Sequence, residues 1–177
     1  MNDQQYTAPR FERSIPDGDD RERKVCITCG FIDYQNPKIV VGSVALWKTR
    51  ILLCKRAIEP RKGYWTLPAG YLELNESAGE GALREAWEEA RARLTLDRLL
   101  AVYSVQHISQ IQLIYRAHLE TDEISAGPES EAVGLFEWED IPWGELAFPT
   151  VGWALRHWRE TKDEAAFAPF SNPVDGL

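Results

Sequence analysis

The feature that most constrains this chain is an acidic helix signal that follows Gly70. Ser77 and, three residues later, Glu80 form a capping-box pattern, which marks the start of many helices. This pattern predicts that a helix begins just after Glu76. Because a helix of ordinary length is stable only when one face packs on a core, its side chains must divide into a core side and an outer side.

Three carboxylates lie on one face of the predicted helix. At about 3.6 residues per turn, Glu85, Glu88 and Glu89 fall within about 100° of arc. Carboxylates held this close repel one another. A divalent cation such as Mg²⁺, which prefers oxygen ligands, would neutralise them. The opposite side carries the residues predicted to face the core: Leu83, Ala86, Trp87, Ala90 and Leu94.

Composition excludes several classes of protein. A chain of 177 residues with 44% hydrophobic residues suits one domain of ordinary size with a small appendage. The formal net charge of −8 argues against nucleic-acid binding through a broad basic surface. The polar segment Met1–Lys24 and the lack of a long apolar run argue against secretion and against a membrane protein. Three cysteines suit a reducing compartment, so we expect a cytoplasmic protein.

The rest of the chain alternates between β-rich runs and turns. We expect strands at residues 38–47, 51–55, 65–67, 99–106, 110–119 and 133–138, the first two joined as a hairpin. Residues 68–70 are expected to turn the chain towards the acidic helix. An amphipathic helix is expected over residues 150–162, followed by a loose tail. Mixed strands with helices on their faces predict an α/β or α+β layered domain.

The spacing of the acidic helix resembles the Nudix box, written G-x5-E-x7-R-E-U-x-E-E-x-G-U with U an apolar residue. The matching positions are Gly70, Glu76, Arg84, Glu85, Ala86, Glu88 and Glu89. The sequence departs from the box at Arg91, where the second glycine should stand. Because arginine with a positive φ costs roughly 1 kcal/mol or more, we expect the helix to run on towards Leu94 instead.

Further stretches extend the resemblance over about the first 150 residues. They lie at residues 15–19, 26–30, 34–38, 65–70 and 127–131. Together they are similar to a bacterial Nudix subgroup with an N-terminal zinc ribbon, like ADP-ribose and FAD pyrophosphatases. This resemblance implies an α/β/α sandwich with a mixed β-sheet and a small N-terminal ribbon-like segment. We therefore expect a ribbon-like segment at 1–36, a Nudix domain at 37–164 and a loose tail at 165–177.

The N-terminal segment carries only half of the zinc ligands that the resemblance implies. A structural zinc site needs four ligands, usually from two Cys-x2-Cys pairs, and only Cys26 and Cys29 form such a pair. The first pair should lie where the sequence has Gln4, Gln5, Tyr6 and Thr7. We therefore expect zinc to be unlikely here, in a segment that keeps its fold by packing alone or has partly lost it.

The resemblance implies that water attacks one phosphorus of a pyrophosphate, with a cation neutralising the phosphate oxygens. Glu85 and Glu89, four residues apart, are the expected ligands of Mg²⁺, with Mn²⁺ as the alternative metal. Glu88 either completes the metal shell or accepts the proton of the water, and Ala69 adds its backbone carbonyl. Arg84 is expected to orient a glutamate.

Residues outside the helix complete the candidate site. Glu129 and Glu131 are the candidates for the general base, two residues apart and therefore on the same side of an extended segment. Arg56 and Arg61 are candidates for contacts with substrate phosphates, and Tyr71 for stacking on a base or flavin.

The function that the resemblance implies is Mg²⁺-dependent hydrolysis of a nucleoside diphosphate linked to another group, with ADP-ribose or FAD favoured. The partner is thus a small nucleotide, with no nucleic acid and no membrane, and a homodimer stays open. The alternative is a Nudix regulator that binds a nucleotide without cleaving it. The intact set of Glu85, Glu88 and Glu89 argues against this alternative.

Overall fold

The structure is a computed structural model that describes residues 8–174. Residues 1–7 and 175–177 lie outside this description, and they include the four positions at which the first zinc pair was sought. The chain divides into two compact units, Met1–Asn36 and Pro37–Leu177. The predicted bounds of the three segments, 1–36, 37–164 and 165–177, stay predictions.

The first unit is a small antiparallel sheet. Its strands are β1 (Phe11–Ser14), β2 (Arg23–Cys26) and β3 (Ile32–Asp33), in that order across the sheet. The turn after β1 is held by an ion pair in which Arg23 Nε lies 2.8 Å from Asp19 Oδ2. The described part of the ribbon-like segment therefore has regular strands.

The second unit is built on a mixed sheet of seven strands. They are β4 (Lys38–Trp47), β5 (Arg50–Arg56), β6 (Trp65–Thr66), β7 (Ala69–Tyr71), β8 (Leu94–Val105), β9 (Gln110–Leu119) and β10 (Ser130–Phe136). The order is β10-β5-β4-β9-β8, with β6 beside β5 and β7 beside β4. Strands β4 and β9 are parallel and the other pairs are antiparallel.

One helix packs on each face of this sheet: α1 (Ala78–Ala90) and α2 (Pro149–Thr161). Because successive strand residues point to opposite faces, Val44 of β4 joins the core cluster that contains Leu155 of α2. Its neighbour Ala45 joins the cluster that contains Ala86 of α1. The predicted α/β/α sandwich is confirmed. Within residues 8–174, neither helix is both long and apolar enough to cross a lipid bilayer.

The predicted strands are present, with shifted ends. The β4–β5 hairpin turns over Lys48, whose φ is 57°, and Thr49, since Trp47 pairs with Arg50. A positive φ in a two-residue turn suits the right-handed twist of the paired strands. The prediction of a simple turn at residues 68–70 is wrong, because residues 69–71 form β7 against β4.

Arg91 ends helix α1, and the prediction that the helix runs on towards Leu94 is wrong. The helix stops at Ala90, Arg91 takes the left-handed conformation with φ 51°, and Leu94 begins β8. Arg91 Nη1 lies 3.3 Å from the carbonyl oxygen of Trp87, and the guanidinium lies 5.6 Å from the centre of the Trp87 ring. These contacts offset part of the strain of a positive φ at a non-glycine residue.

The segment after α2 is docked, in contrast to the loose tail expected from residue 165. Phe170 pairs with β8, its N–H donating to Leu100 O and its carbonyl accepting from Val102 N, each at 2.9 Å. The Phe170 ring stacks on His157 of α2, with ring centres 4.1 Å apart. The Asn172 side chain adds two hydrogen bonds to the β8 backbone.

Phe170→Ala should lower the free energy of unfolding by about 1–2 kcal/mol, because it removes the stacking on His157 and the apolar area that the ring buries. Urea unfolding followed by tryptophan fluorescence measures this change. The control is Val174→Ala, at an exposed position. Equal stability of both variants would contradict the docked arrangement.

Candidate active site

The first turn of α1 is fixed by the predicted capping box. Ser77 Oγ accepts from the N–H of Glu80 at 3.2 Å, and Glu80 Oε2 accepts from the N–H of Ser77 at 2.8 Å. These bonds satisfy backbone donors that the helix itself leaves free. They fix the start of the helix and therefore the direction of every later side chain.

The face of α1 that meets the sheet agrees only in part with the prediction, since Ala86 and Ala90 are buried as expected. Glu85 and Glu89 are only 8% and 6% exposed, and they lie beside a stripe of buried alanines. Leu83 and Trp87, predicted to face the core, are 37% and 44% exposed. The alanine stripe consists of Ala82, Ala86 and Ala90. These small side chains let the helix backbone lie close to the sheet, and this draws the two carboxylates inward.

Arg84 connects the acidic residues of the helix. Its guanidinium holds Glu76 through two bonds, of 2.8 and 3.0 Å. Its Nη1 lies 2.7 Å from Glu85 Oε1 and 2.9 Å from Glu88 Oε2. Hydrogen bonds from Arg84 and from the N–H of Glu73 hold the pKa of Glu76 at about 2. Arg84 thus contacts three glutamates at once, and its role in orienting a glutamate stays a prediction.

Gly70 leaves the space that the carboxylate of Glu85 occupies. A Cβ at this position would lie 2.4 Å from both carboxylate oxygens of Glu85. The neighbouring residue Ala69 donates its N–H to Glu89 Oε2 at 3.2 Å. Strand β7 therefore leaves space for the carboxylate of Glu85 and donates a hydrogen bond to the carboxylate of Glu89.

Electrostatics sets the two buried carboxyls apart from ordinary surface glutamates. Burial raises the pKa of Glu89 to about 8, although the N–H of Ala69 and the charge of Arg56 lower it. Burial also raises the pKa of Glu85, against the opposing effect of Arg84. The nearby charge of Glu129 adds to both shifts. The negative charge of the two buried carboxylates is therefore only partly compensated by neighbouring groups.

The loop that contains Gly127 contacts the end of α1 and brings Glu129 near the two buried glutamates. Gly127 donates its N–H to Glu89 O at 2.9 Å, and a Cβ at Gly127 would lie 1.7 Å from Glu88 O. The carbonyl of Glu129 accepts from Ala57 N at 2.8 Å, which ties the loop to the end of β5. This role of Gly127 is not among the features predicted from the sequence. The Gly-Pro pair that begins the loop is the signal that could have indicated a tight turn.

The expectation that Glu129 and Glu131 share one side of an extended segment is wrong. Glu129 lies in a turn closed by a bond from Ser130 N to Gly127 O at 3.1 Å. Glu131 is exposed at an irregularity in β10, where the register with β5 shifts between Ser130 and Ala132. Strand alternation therefore does not relate the two residues, and only Glu129 acts on the pKa values of both buried glutamates.

Comparisons with known proteins agree with this arrangement. The profile described as NUDIX domain matches residues 36–157, and a zinc-ribbon profile described as Nudix N-terminal matches residues 8–35. The chain belongs to the Nudix family. The prediction of an enzyme of this family, a Nudix pyrophosphohydrolase, is confirmed.

Individual relatives support the assignment over different lengths. The crystal structure of a NUDIX hydrolase from Nitrosomonas europaea is 41% identical and superposes with a TM-score of 0.87, covering 97% of this chain and 98% of that one. A protein named ADP-ribose pyrophosphatase from Methanocaldococcus jannaschii is 30% identical over 65% of this chain and 69% of its own length. A MutT-like protein from Streptomyces ambofaciens is 35% identical over 58% of this chain and 64% of its own length.

The donor set of this Nudix site suits a divalent cation, since carboxylate oxygens with too little compensating charge are what Mg²⁺ binds. In residues 8–174, however, no three His, Cys, Asp or Glu side chains converge as they would around an ion. The guanidinium of Arg84 lies between Glu85 and Glu88, and Ala69 contacts Glu89 through its N–H. The metal roles of Ala69, Glu85, Glu88 and Glu89 stay predictions.

The predicted substrate residues are dispersed around the cluster. Arg56 ends β5, donates from Nε to Pro60 O at 2.7 Å and lies near enough to Glu89 to lower its pKa, against the larger effect of burial. The backbone carbonyl of Tyr71 accepts from Arg84 Nη2 at 2.9 Å, and its ring is exposed. The Arg61 guanidinium lies 5.3 Å from the centre of the Tyr64 ring. Arg56 and Tyr71 thus lie beside the acidic residues of the site, whereas the described contact of Arg61 is with the Tyr64 ring.

In metal-free protein, the free energy of unfolding should fall as pH rises between about 4.5 and about 8. In this pH range the native state retains the proton of Glu89 while the unfolded chain releases it. The stabilising contribution of this proton is therefore present in full below the range and lost above it. A shift of this size corresponds to about 3–5 kcal/mol. Urea unfolding in a chelator, at a series of pH values, measures the slope.

The matched variant is Glu89→Gln, which stays neutral and can still accept from the N–H of Ala69. It should be more stable than the parent at alkaline pH and should lack most of the slope. Glu85, whose pKa is also raised and whose charge acts on Glu89, should leave a smaller residual slope in the variant. The same pH slope in both proteins would contradict a protonated, buried Glu89.

Proposed function

We propose that this Nudix protein hydrolyses the pyrophosphate bond of a nucleoside diphosphate linked to another group, with Mg²⁺ as its metal and ADP-ribose as the favoured substrate. FAD is the second candidate and Mn²⁺ the alternative metal. The observation that carries the proposal is the pair of buried carboxylates, Glu85 and Glu89, between the exposed carboxylates of Glu88 and Glu129. The name of the archaeal relative favours ADP-ribose over FAD.

Glu85, Glu88 and Glu89 would hold the cation, with the Ala69 backbone beside them. When bound, Mg²⁺ neutralises the non-bridging oxygens of the diphosphate and makes its phosphorus more open to attack. The protein keeps the first two carboxylates in place through Gly70 and Arg84. Arg84 is a positioning residue in this scheme, because its donors are taken up by glutamates and by Tyr71 O.

Glu129 is the better candidate for the general base. Its turn is anchored at one end to Glu89 O through Gly127 and at the other to Ala57 N. The charge of Glu129 raises the pKa of both buried glutamates, and its carboxylate is not bonded to Arg84, so it is free to accept a proton from a water. Glu131, the second predicted base, stands in the neighbouring strand at an irregular position.

Arg56 and Tyr71 are the residues best placed to meet the substrate. The guanidinium of Arg56 carries positive charge near Glu89 and stacks over Phe148 at 5.3 Å. The exposed ring of Tyr71 lies 4.9 Å from Lys38 Nζ. A phosphate beside Arg56 and an aromatic group over Tyr71 would use these features. A cytoplasmic location and a homodimer stay predictions.

Glu85→Gln and Glu89→Gln should each lower kcat for ADP-ribose by several orders of magnitude, since each removes a charge from the expected cation site. Product formation with Mg²⁺ is measured by separating AMP and ribose 5-phosphate, with FAD and NADH as comparison substrates. The control is Glu139→Gln, at an exposed glutamate outside the cluster. Near-parental turnover in either site variant would remove the metal assignment, and tight nucleotide binding without any product would support a non-catalytic regulator.

Glu129→Gln should lower kcat by about 10²–10⁴-fold and leave KM within a few-fold, as expected for loss of a general base. Glu131→Gln is the matched variant two residues away, and it should retain activity because its position is exposed and its charge is not among the groups that shift the pKa of Glu85 and Glu89. Only in Glu129→Gln should the fall of kcat towards acidic pH disappear. The reverse order of effects would assign the base to Glu131.

A further inference from the structure

The loop between β2 and β3 contains a pair of cysteines that the proposed function does not use. Cys26 is the last residue of β2, and Cys29 follows in an exposed turn. The turn is closed by bonds from Gly30 N to Cys26 O and from Cys26 N to Phe31 O, each 2.8 Å long. Gly30 has a φ of 75°, a conformation that glycine adopts without strain.

The two cysteines have different surroundings. Cys26 and Cys29 lie within the same hydrogen-bonded turn, and hydrogen bonding from the backbone N–H groups of Cys29 and Thr28 acts on the Cys26 sulfur. These bonds lower the pKa of the Cys26 thiol. Cys26 is only 3% exposed, whereas Cys29 is exposed. The loop therefore contains a buried thiol whose lowered pKa favours the thiolate, together with a solvent-accessible thiol.

A zinc ion does not fit the residues present in this unit. A structural site needs four ligands, and the sequence has neither a cysteine nor a histidine before Cys26. Cys54, the third cysteine of the chain, is 1% exposed within the core of the second unit. The zinc-ribbon profile thus matches a segment that has kept one pair of thiols without the second pair.

We propose that Cys26 and Cys29 form a reversible redox site that is oxidised to an intramolecular disulfide by low-molecular-weight disulfides. The exposed Cys29 thiolate first attacks one sulfur of the small disulfide, which forms a mixed disulfide at Cys29 and releases one small thiol. The Cys26 thiolate then attacks the Cys29 sulfur and releases the second small thiol. Overall two protein thiols are oxidised, one small disulfide is reduced to two thiols, and both protons pass to those thiols.

The different roles proposed for the two cysteines can be tested by following which thiol reacts. Reduced, zinc-free protein is incubated with glutathione disulfide near neutral pH, quenched with acid and analysed by intact mass and peptide mapping. The parent protein should lose two hydrogens from the peptide that contains Cys26 and Cys29. Cys54 should stay a free thiol throughout, because burial raises its pKa well above the usual range and blocks access.

Single variants separate the two roles. Cys26→Ser should accumulate one glutathione on Cys29, since the thiol that resolves the mixed disulfide is missing. Cys29→Ser should react more slowly than Cys26→Ser by on the order of 10–100-fold, because its remaining thiol in the loop is buried. Cys54→Ser is the matched control and should form the loop disulfide as the parent does.

Several outcomes would overturn the proposal. They are equal reaction rates at Cys26 and Cys29, no trapped adduct in Cys26→Ser, a parent protein that keeps both thiols, and stoichiometric zinc in protein purified without chelator. If a variant does not fold, the parent alone decides the question. Rapid acid quenching should then trap a mixed disulfide at Cys29 before the loop disulfide appears, and its appearance at Cys26 would contradict the scheme.

Discussion

Two carboxylates are buried where helix α1 meets the central sheet, and the arrangement of the site follows from the need to accommodate them. Removing Glu85 and Glu89 from water is unfavourable unless each finds compensation. Glu85 receives a hydrogen bond from Arg84, and Glu89 receives one from the N–H of Ala69. The raised pKa of Glu89, about 8, shows that burial outweighs this compensation and leaves a place for a proton or a cation.

The surrounding backbone is shaped by two close approaches that only glycine permits. At Gly70 the carboxylate of Glu85 occupies the position of a side chain, and at Gly127 the carbonyl of Glu88 does so. The first approach sets β7 against the helix, and the second sets the loop that carries Glu129 against the helix end. Positioning in this site thus depends on the main chain as much as on side-chain contacts.

Motif spacing and strand alternation in the sequence agree with the structure, whereas the end of α1 at Arg91 and the docking of Phe170 differ from what the sequence predicts. The box spacing that includes Gly70 and Arg84 and the capping box at Ser77 all correspond to features of the structure. The strand patterns predicted the sheet, because period-two alternation is a property of each strand by itself. The docking of Phe170 on β8 was not predicted, since it depends on contacts with both β8 and α2 that no local pattern describes.

The sequence by itself determined the family, the two helices and six of the ten strands within residues 8–174, and the angular relation of the glutamates on α1. Only the tertiary structure decided that Glu85 and Glu89 face inward while Trp87 is exposed, because helical periodicity fixes angles between side chains but does not choose the face that packs. A similar reason separates Glu129 from Glu131. Their spacing is local, but the turn at Glu129 is anchored to α1 and to Ala57, and the shifted register at Glu131 arises from pairing with β5.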